Sequence, residues 1–103
     1  MEFGLTEKEI ALLKKVFEKN EQIEKVFIYG SRAKGNFKKT SDIDLAVCFA
    51  SGAQKSIARL RSELEDLPII YLIDITDEAE IEAGKFKDAY ERTKVGFYVK
   101  KLK

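Results

Sequence analysis

Apolar residues recur along this chain in two alternating rhythms, one of helical period and one of strand period. Ile10, Leu13, Val16 and Phe17 fall at helical spacing behind Thr6-Glu7-Lys8-Glu9. That tetrad is a capping box, in which the Thr hydroxyl and the Glu carboxylate each satisfy an otherwise orphaned amide, so a first helix is predicted over about residues 7–19. Lys25-Val26-Phe27-Ile28-Tyr29 is short, β-branched and aromatic, and Gly30 closes it, which predicts a buried strand. Residues 31–41 read as a polar connection with room for one helical turn. From Asp42 to Phe49 the pattern alternates, with Ile43, Leu45 and Val47 on one face and Asp42, Asp44 and Ala46 on the other, so a second strand is predicted. Residues 51–54 read as a loop, and Ile57, Leu60, Leu64 and Leu67 form the stripe of a helix that Pro68 stops.

A third strand is predicted over residues 69–75. Asp77 and Glu80 suggest a second capping box, and Ala83, Phe86, Ala89, Tyr90 and Thr93 line one face of a final helix that Gly96 would end. The remaining Phe97-Tyr98-Val99-Lys100-Lys101-Leu102-Lys103 is apolar and then basic, a partly ordered tail or a docking segment. The order helix, strand, turn, strand, helix, strand, helix predicts one α/β domain over residues 1–103, built on a small three-stranded sheet flanked by helices.

Composition narrows the chemistry. There are 103 residues with 19 basic and 18 acidic side chains, a net charge of +1, so no domain-wide basic excess points to broad nucleic-acid binding. No apolar stretch approaches the ~20 residues of a membrane helix, and no secretory leader pattern opens the chain. The single Cys48 lies inside an apolar run, as a small core residue of a cytoplasmic, reducing setting would. The absence of histidine excludes Ser-His-Asp and Cys-His catalysis and any His-ligated metal. Carboxylates remain for catalysis.

Two short motifs stand ten residues apart, Gly30-Ser31 and Asp42-Ile43-Asp44. Strand alternation projects both aspartates from one face with roots about 6.6 Å apart, where bare charges repel by roughly 2 to 3 kcal/mol at an effective dielectric near 20. A divalent cation between them relieves that repulsion, and oxygen-only ligation suits Mg²⁺, or Mn²⁺ in its place. Gly30 allows close backbone approach to a phosphate, and Ser31 adds an amide and a hydroxyl. Between the motifs, Arg32, Lys34, Lys38 and Lys39 are four cations with no acid among them, a candidate cradle for a triphosphate. Gly30 and Gly35 have P-loop spacing, but Asn36-Phe37 stands where Lys and Ser or Thr are required, so a P-loop is excluded. A third carboxylate is expected from the neighbouring strand: Asp74 is the first candidate, to complete a metal triad or deprotonate an attacking hydroxyl, with Asp77 the competitor.

The run Gly30-Ser31-Arg32-Ala33-Lys34-Gly35 to Ser41-Asp42-Ile43-Asp44-Leu45, with Asp74 in Leu72-Ile73-Asp74-Ile75, resembles the minimal nucleotidyltransferases (MNT) of the DNA polymerase β-like superfamily. The resemblance implies the polymerase β-like fold with a mixed sheet, and transfer of a nucleoside monophosphate, AMP from ATP, to a hydroxyl. It implies two Mg²⁺ ions on Asp42, Asp44 and Asp74, with Gly30, Ser31, Arg32 and Lys34 toward the nucleotide. It further implies an antitoxin whose partner is a helical HEPN-domain toxin modified on a tyrosine. The chain carries no extra acceptor domain, so a partner or a second copy in a homodimer would supply the acceptor. Two rival expectations are an antitoxin that neutralises its partner by occupancy alone, and a nucleotide sensor without turnover.

Overall fold

The computed structural model describes residues 1–52 and 56–101. Helix α1 (Glu7–Lys19) occupies the expected residues and carries the capping box in full: Glu9 N donates to Thr6 Oγ1 at 3.1 Å and Thr6 N donates to Glu9 Oε1 at 2.9 Å. Strand β1 (Ile23–Tyr29) starts two residues earlier than expected, and β2 (Ile43–Phe49) one residue later, leaving Asp42 at its threshold. Between them Ser31–Lys34 makes the single turn α2. Helix α3 (Ile57–Glu65) starts at a Ser56 cap, and Leu67 and Pro68 lie beyond its end. Of the expected loop at 51–54, residues 53 and 54 lie outside the described residues.

The sheet has four strands in the order β3-β2-β1-β4, where three were expected. β2 and β3 (Ile73–Asp77) run parallel, joined through α3, while β1 pairs antiparallel with β2 and with β4 (Val95–Val99), so the sheet is mixed. The added strand is the segment read as a tail. Helix α4 (Lys85–Thr93) stops at Lys94, and Gly96, expected to end it, sits within β4. Gly96 pairs with Phe27 where the register slips, and the next residue paired is Tyr98. A residue without a side chain suits such a bulge, and Phe97 enters the core there.

β3 is shorter than the expected 69–75: its pairing begins at Ile73, opposite Ile43, and Ile70 and Leu72 before it are exposed. The Asp77 and Glu80 box does not open α4. Asp77 Oδ1 accepts from Ala79 N and caps a 3₁₀ turn, Glu78–Glu80, while α4 follows Gly84.

Strand alternation divides the molecule. Val26, Ile28, Ile43, Leu45, Val47 and Ile75 face one way and join Leu13, Val16 and Phe17 of α1 and Leu60 and Leu64 of α3 in the main core. Tyr29 and Ala46 face the other way and form a smaller cluster with Tyr90 of α4, flanked by Phe27 and Ile81. The second face also carries Asp44 and Asp74, by the same period of two. Among the described residues no helix is long and apolar enough to cross a membrane.

Candidate active site

Parallel pairing of β2 with β3 sets Asp44 directly opposite Asp74, and antiparallel pairing of β1 with β2 sets Tyr29 opposite Asp44. Adjacent strands lie about 4.8 Å apart, so the two carboxylates start from neighbouring roots on one face. Asp77 pairs with Val47, three residues further along β3, and is buried. Asp74 is therefore the acid that stands beside Asp44.

The chain turns away from β1 at Gly30, whose φ of 75° and ψ of −153° belong to a region that residues with a side chain avoid. A Cβ at this position would lie 2.6 Å from Asp44 Oδ2, closer than carbon and oxygen can approach. The glycine backbone thus lies directly against the carboxylate, bringing the first motif to the second. Ser31 begins α2 immediately afterwards.

Asp44 is half-buried, and burial raises its proton affinity most, followed by the charges of Asp74 and Asp42, with Arg32 opposing; its pKa stands at about 6. A carboxylate held in this way gains from a nearby cation. Among the described residues no three His, Cys, Asp or Glu side chains close into a metal cage. Asp44 and Asp74 line one cleft, whereas Asp42, exposed at the threshold of β2, lines a neighbouring groove. Two adjacent carboxylates are hard oxygen donors of the kind Mg²⁺ takes, since it keeps waters and substrate phosphates in its shell and needs only one or two carboxylates.

The cations do not act as one group. Arg32, expected to face a nucleotide, is 2 % exposed and serves as a clamp instead. Its Nε and Nη2 donate to the Ser41 carbonyl at 3.1 and 2.7 Å, and Nη1 donates to the Phe3 carbonyl at 2.9 Å. Its guanidinium stacks over Tyr71 at 4.3 Å and Phe37 at 5.3 Å. The residue it grips, Ser41, precedes Asp42, so Arg32 orders the approach to the first carboxylate. Lys34 is exposed and lines the cleft with Asp44 and Asp74, whereas Lys39 lines a separate groove with Asp42, Ile70 and Leu72.

The cleft, of about 270 Å³, is lined by Tyr29, Gly30, Lys34, Asp44 and Asp74 and by one face of α4. From α4 it receives Phe86, Ala89, Tyr90 and Thr93, four of the five residues of the helical stripe read from the sequence. The stripe was legible as a helix face but not as part of the site, because core and cleft walls share one apolar signature. Behind it, Glu78 accepts from the Tyr90 hydroxyl and from Cys48 Sγ at 3.2 Å, with Lys94 Nζ 3.7 Å away.

Residues 12–101 match the sequence model of the family described as Polymerase beta, Nucleotidyltransferase. The chain belongs to that family. Among solved structures, one described as a toxin-antitoxin with AMP-PNP superposes with a TM-score of 0.67 at 20 % identity, covering 92 % of this chain and 74 % of the other. A protein described as a candidate nucleotidyltransferase from Sulfolobus solfataricus superposes with a TM-score of 0.52 at 24 % identity, covering 89 % and 81 %. At these identities the two neighbours establish the polymerase β-like fold. Comparison with curated protein sequences gives no match.

Proposed function

We propose that this nucleotidyltransferase moves AMP from ATP to a hydroxyl of a partner protein. The observation that carries the reading is the pairing of Asp44 with Asp74 against the bare backbone of Gly30. Gly30, Ser31 and Lys34 hold the β and γ phosphates, and Asp42, Asp44 and Asp74 would hold two Mg²⁺ ions, or Mn²⁺. When bound, the metal neutralises charge on the phosphates and makes the acceptor hydroxyl more acidic. Asp74, exposed at the mouth of the cleft, takes the hydroxyl proton as the acceptor oxygen bonds to the α-phosphorus. The bond from the α-phosphorus to the bridging oxygen breaks in line, and pyrophosphate leaves.

The acceptor half of the site comes from another protein in the cytoplasm. A structural neighbour that is a toxin-antitoxin with AMP-PNP, together with the MNT resemblance, favours a toxin, with a HEPN-type tyrosine as the acceptor. The test incubates the chain with Mg²⁺, α-labelled ATP and the product of the adjacent reading frame, and maps the modified residue. Asp44→Asn should reduce label transfer by about 10² to 10³ or more, the several kcal/mol that metal-assisted charge stabilisation supplies. Undiminished transfer overturns the catalytic assignment. Neutralisation of the partner that survives the substitution assigns the antitoxin role to occupancy.

A further inference from the structure

The wall of the cleft facing the carboxylates is aromatic, and phosphoryl chemistry gives it no task. Phe86 stays 56 % exposed, although it lies in the same cleft as Gly30, Lys34, Asp44 and Asp74. Its ring stands edge-on to Tyr29, with centroids 5.9 Å apart and planes at 88°, and Tyr29 stands edge-on to Tyr90 at 5.1 Å and 87°. The trio is braced from behind rather than loose.

Two polar groups of this wall are engaged elsewhere: the Tyr90 hydroxyl donates to Glu78, and Thr93 Oγ1 donates to the Ala89 carbonyl at 2.8 Å. What the wall offers the cleft is mainly ring surface, with the Ala89 methyl, an oxygen of Thr93 that can only accept and the single hydroxyl of Tyr29. Such a surface recognises a flat heteroaromatic ring by stacking and reads little of its hydrogen-bonding edge.

We propose that Phe86, backed by Tyr29 and Tyr90, is the stacking platform for the nucleobase of the donor, in a subsite that tolerates different bases. The assignment rests on the nucleotidyl-transfer reading above, since it takes the phosphates to lie at Gly30 and Lys34. One ligand then spans the cleft, its charged end at the carboxylates and its flat end on α4. Discrimination follows ring area, so purines bind more tightly than pyrimidines while ATP and GTP differ little.

The test is calorimetric titration of the full chain in Mg²⁺ with ATP, GTP, UTP and inorganic tripolyphosphate, for the unaltered protein, Phe86→Ala and Phe86→Tyr. Phe86→Ala should weaken ATP and GTP by similar factors, about 5- to 100-fold, the effect of losing one base–aromatic stack. Tripolyphosphate should bind all three proteins equally, and Phe86→Tyr should retain ATP affinity. The subsite is overturned, with the transfer reading intact, if Phe86→Ala binds ATP as tightly as the unaltered protein does. It is equally overturned if ATP binds no tighter than tripolyphosphate, or if both lose affinity together. If the unaltered protein binds none of the probes, the subsite and the transfer reading fall together.

Discussion

Gly30 lies so close beneath Asp44 that a methyl group there would begin 2.6 Å from the carboxylate oxygen. Gly30→Ala must therefore displace the carboxylate and also hold an L-residue at a φ of 75°. Backbone strain of this kind costs about 1 to 3 kcal/mol, which denaturant titration should register as a lowered midpoint. Displacement of a catalytic group by an ångström costs roughly 10²-fold in rate. Nucleotidyl transfer by Gly30→Ala should fall by at least that factor, more than the fraction unfolded accounts for. Full transfer with alanine in place would show that the contact is incidental.

Arg32 and Lys34 sit two residues apart and should behave oppositely on substitution. Arg32→Lys removes the fork that reaches the Ser41 and Phe3 carbonyls together and leaves these part-buried acceptors short of donors. The expected loss of folding stability is about 2 to 4 kcal/mol, since lysine reproduces neither the bidentate contact nor the stacking on Tyr71. Lys34→Gln should leave the denaturation midpoint within about 0.5 kcal/mol, as exposed positions generally do. It should instead raise the KM for ATP. An Arg32→Lys protein of unchanged stability would remove the clamp from the account.

These two residues also mark where the sequence stops being informative. The spacing of Gly30-Ser31 and Asp42-Ile43-Asp44 was legible because strand period and turn chemistry act locally, and the first helix was legible through its cap and its apolar stripe. Arg32 was not, because nothing in a run of basic residues tells which one is drawn under the chain by carbonyls 9 and 29 positions away. The fourth strand was missed for a related reason. Val95 to Val99 has strand composition, but Gly96 resembles a helix stop until the bulge opposite Phe27 is seen. Asp74 could be proposed from its strand, yet its preference over Asp77 required the register that sets it opposite Asp44.

Asp44 should make the stability of the metal-free protein depend on pH in an unusual direction. Its folded pKa of about 6 lies above its ordinary value of 3.8, with burial the leading cause. The native state therefore binds this proton more tightly than the unfolded chain. Stability from this group is fully present below about pH 4 and is lost as pH rises through 6. Asp44→Asn lacks the charge at every pH. Thermal denaturation in chelator should show the Asn variant more stable than the unaltered protein at pH 8, and the difference should vanish near pH 4. Adding Mg²⁺ at pH 8 should close the gap from the other side, by stabilising only the protein with the carboxylate. A gap that does not change with pH would mean that Asp44 titrates ordinarily.

Cys48 should be nearly inert to alkylation in the folded protein. Burial raises its thiol most, and the hydrogen bond to Glu78 and the charge of that carboxylate add to it, so its pKa stands at about 12 despite Lys25 and Lys94. The thiolate is the reactive species, so at pH 8 the native protein should react about 10³-fold more slowly than the unfolded chain, whose thiol titrates near 8.5. The same Glu78 stays below the usual carboxylate range: burial pushes it up, but donors from Tyr90 and Cys48 and the charge of Lys94 outweigh this. Glu78→Gln removes the negative charge while keeping an acceptor, so Cys48 should react faster in that variant, although burial still protects it. Because Tyr90 loses a charge-assisted acceptor at the same time, the aromatic wall of the cleft should loosen. A rise in thiol reactivity accompanied by weaker ATP binding would tie the Glu78 hub to the site, whereas faster alkylation with ATP affinity unchanged would confine it to the fold.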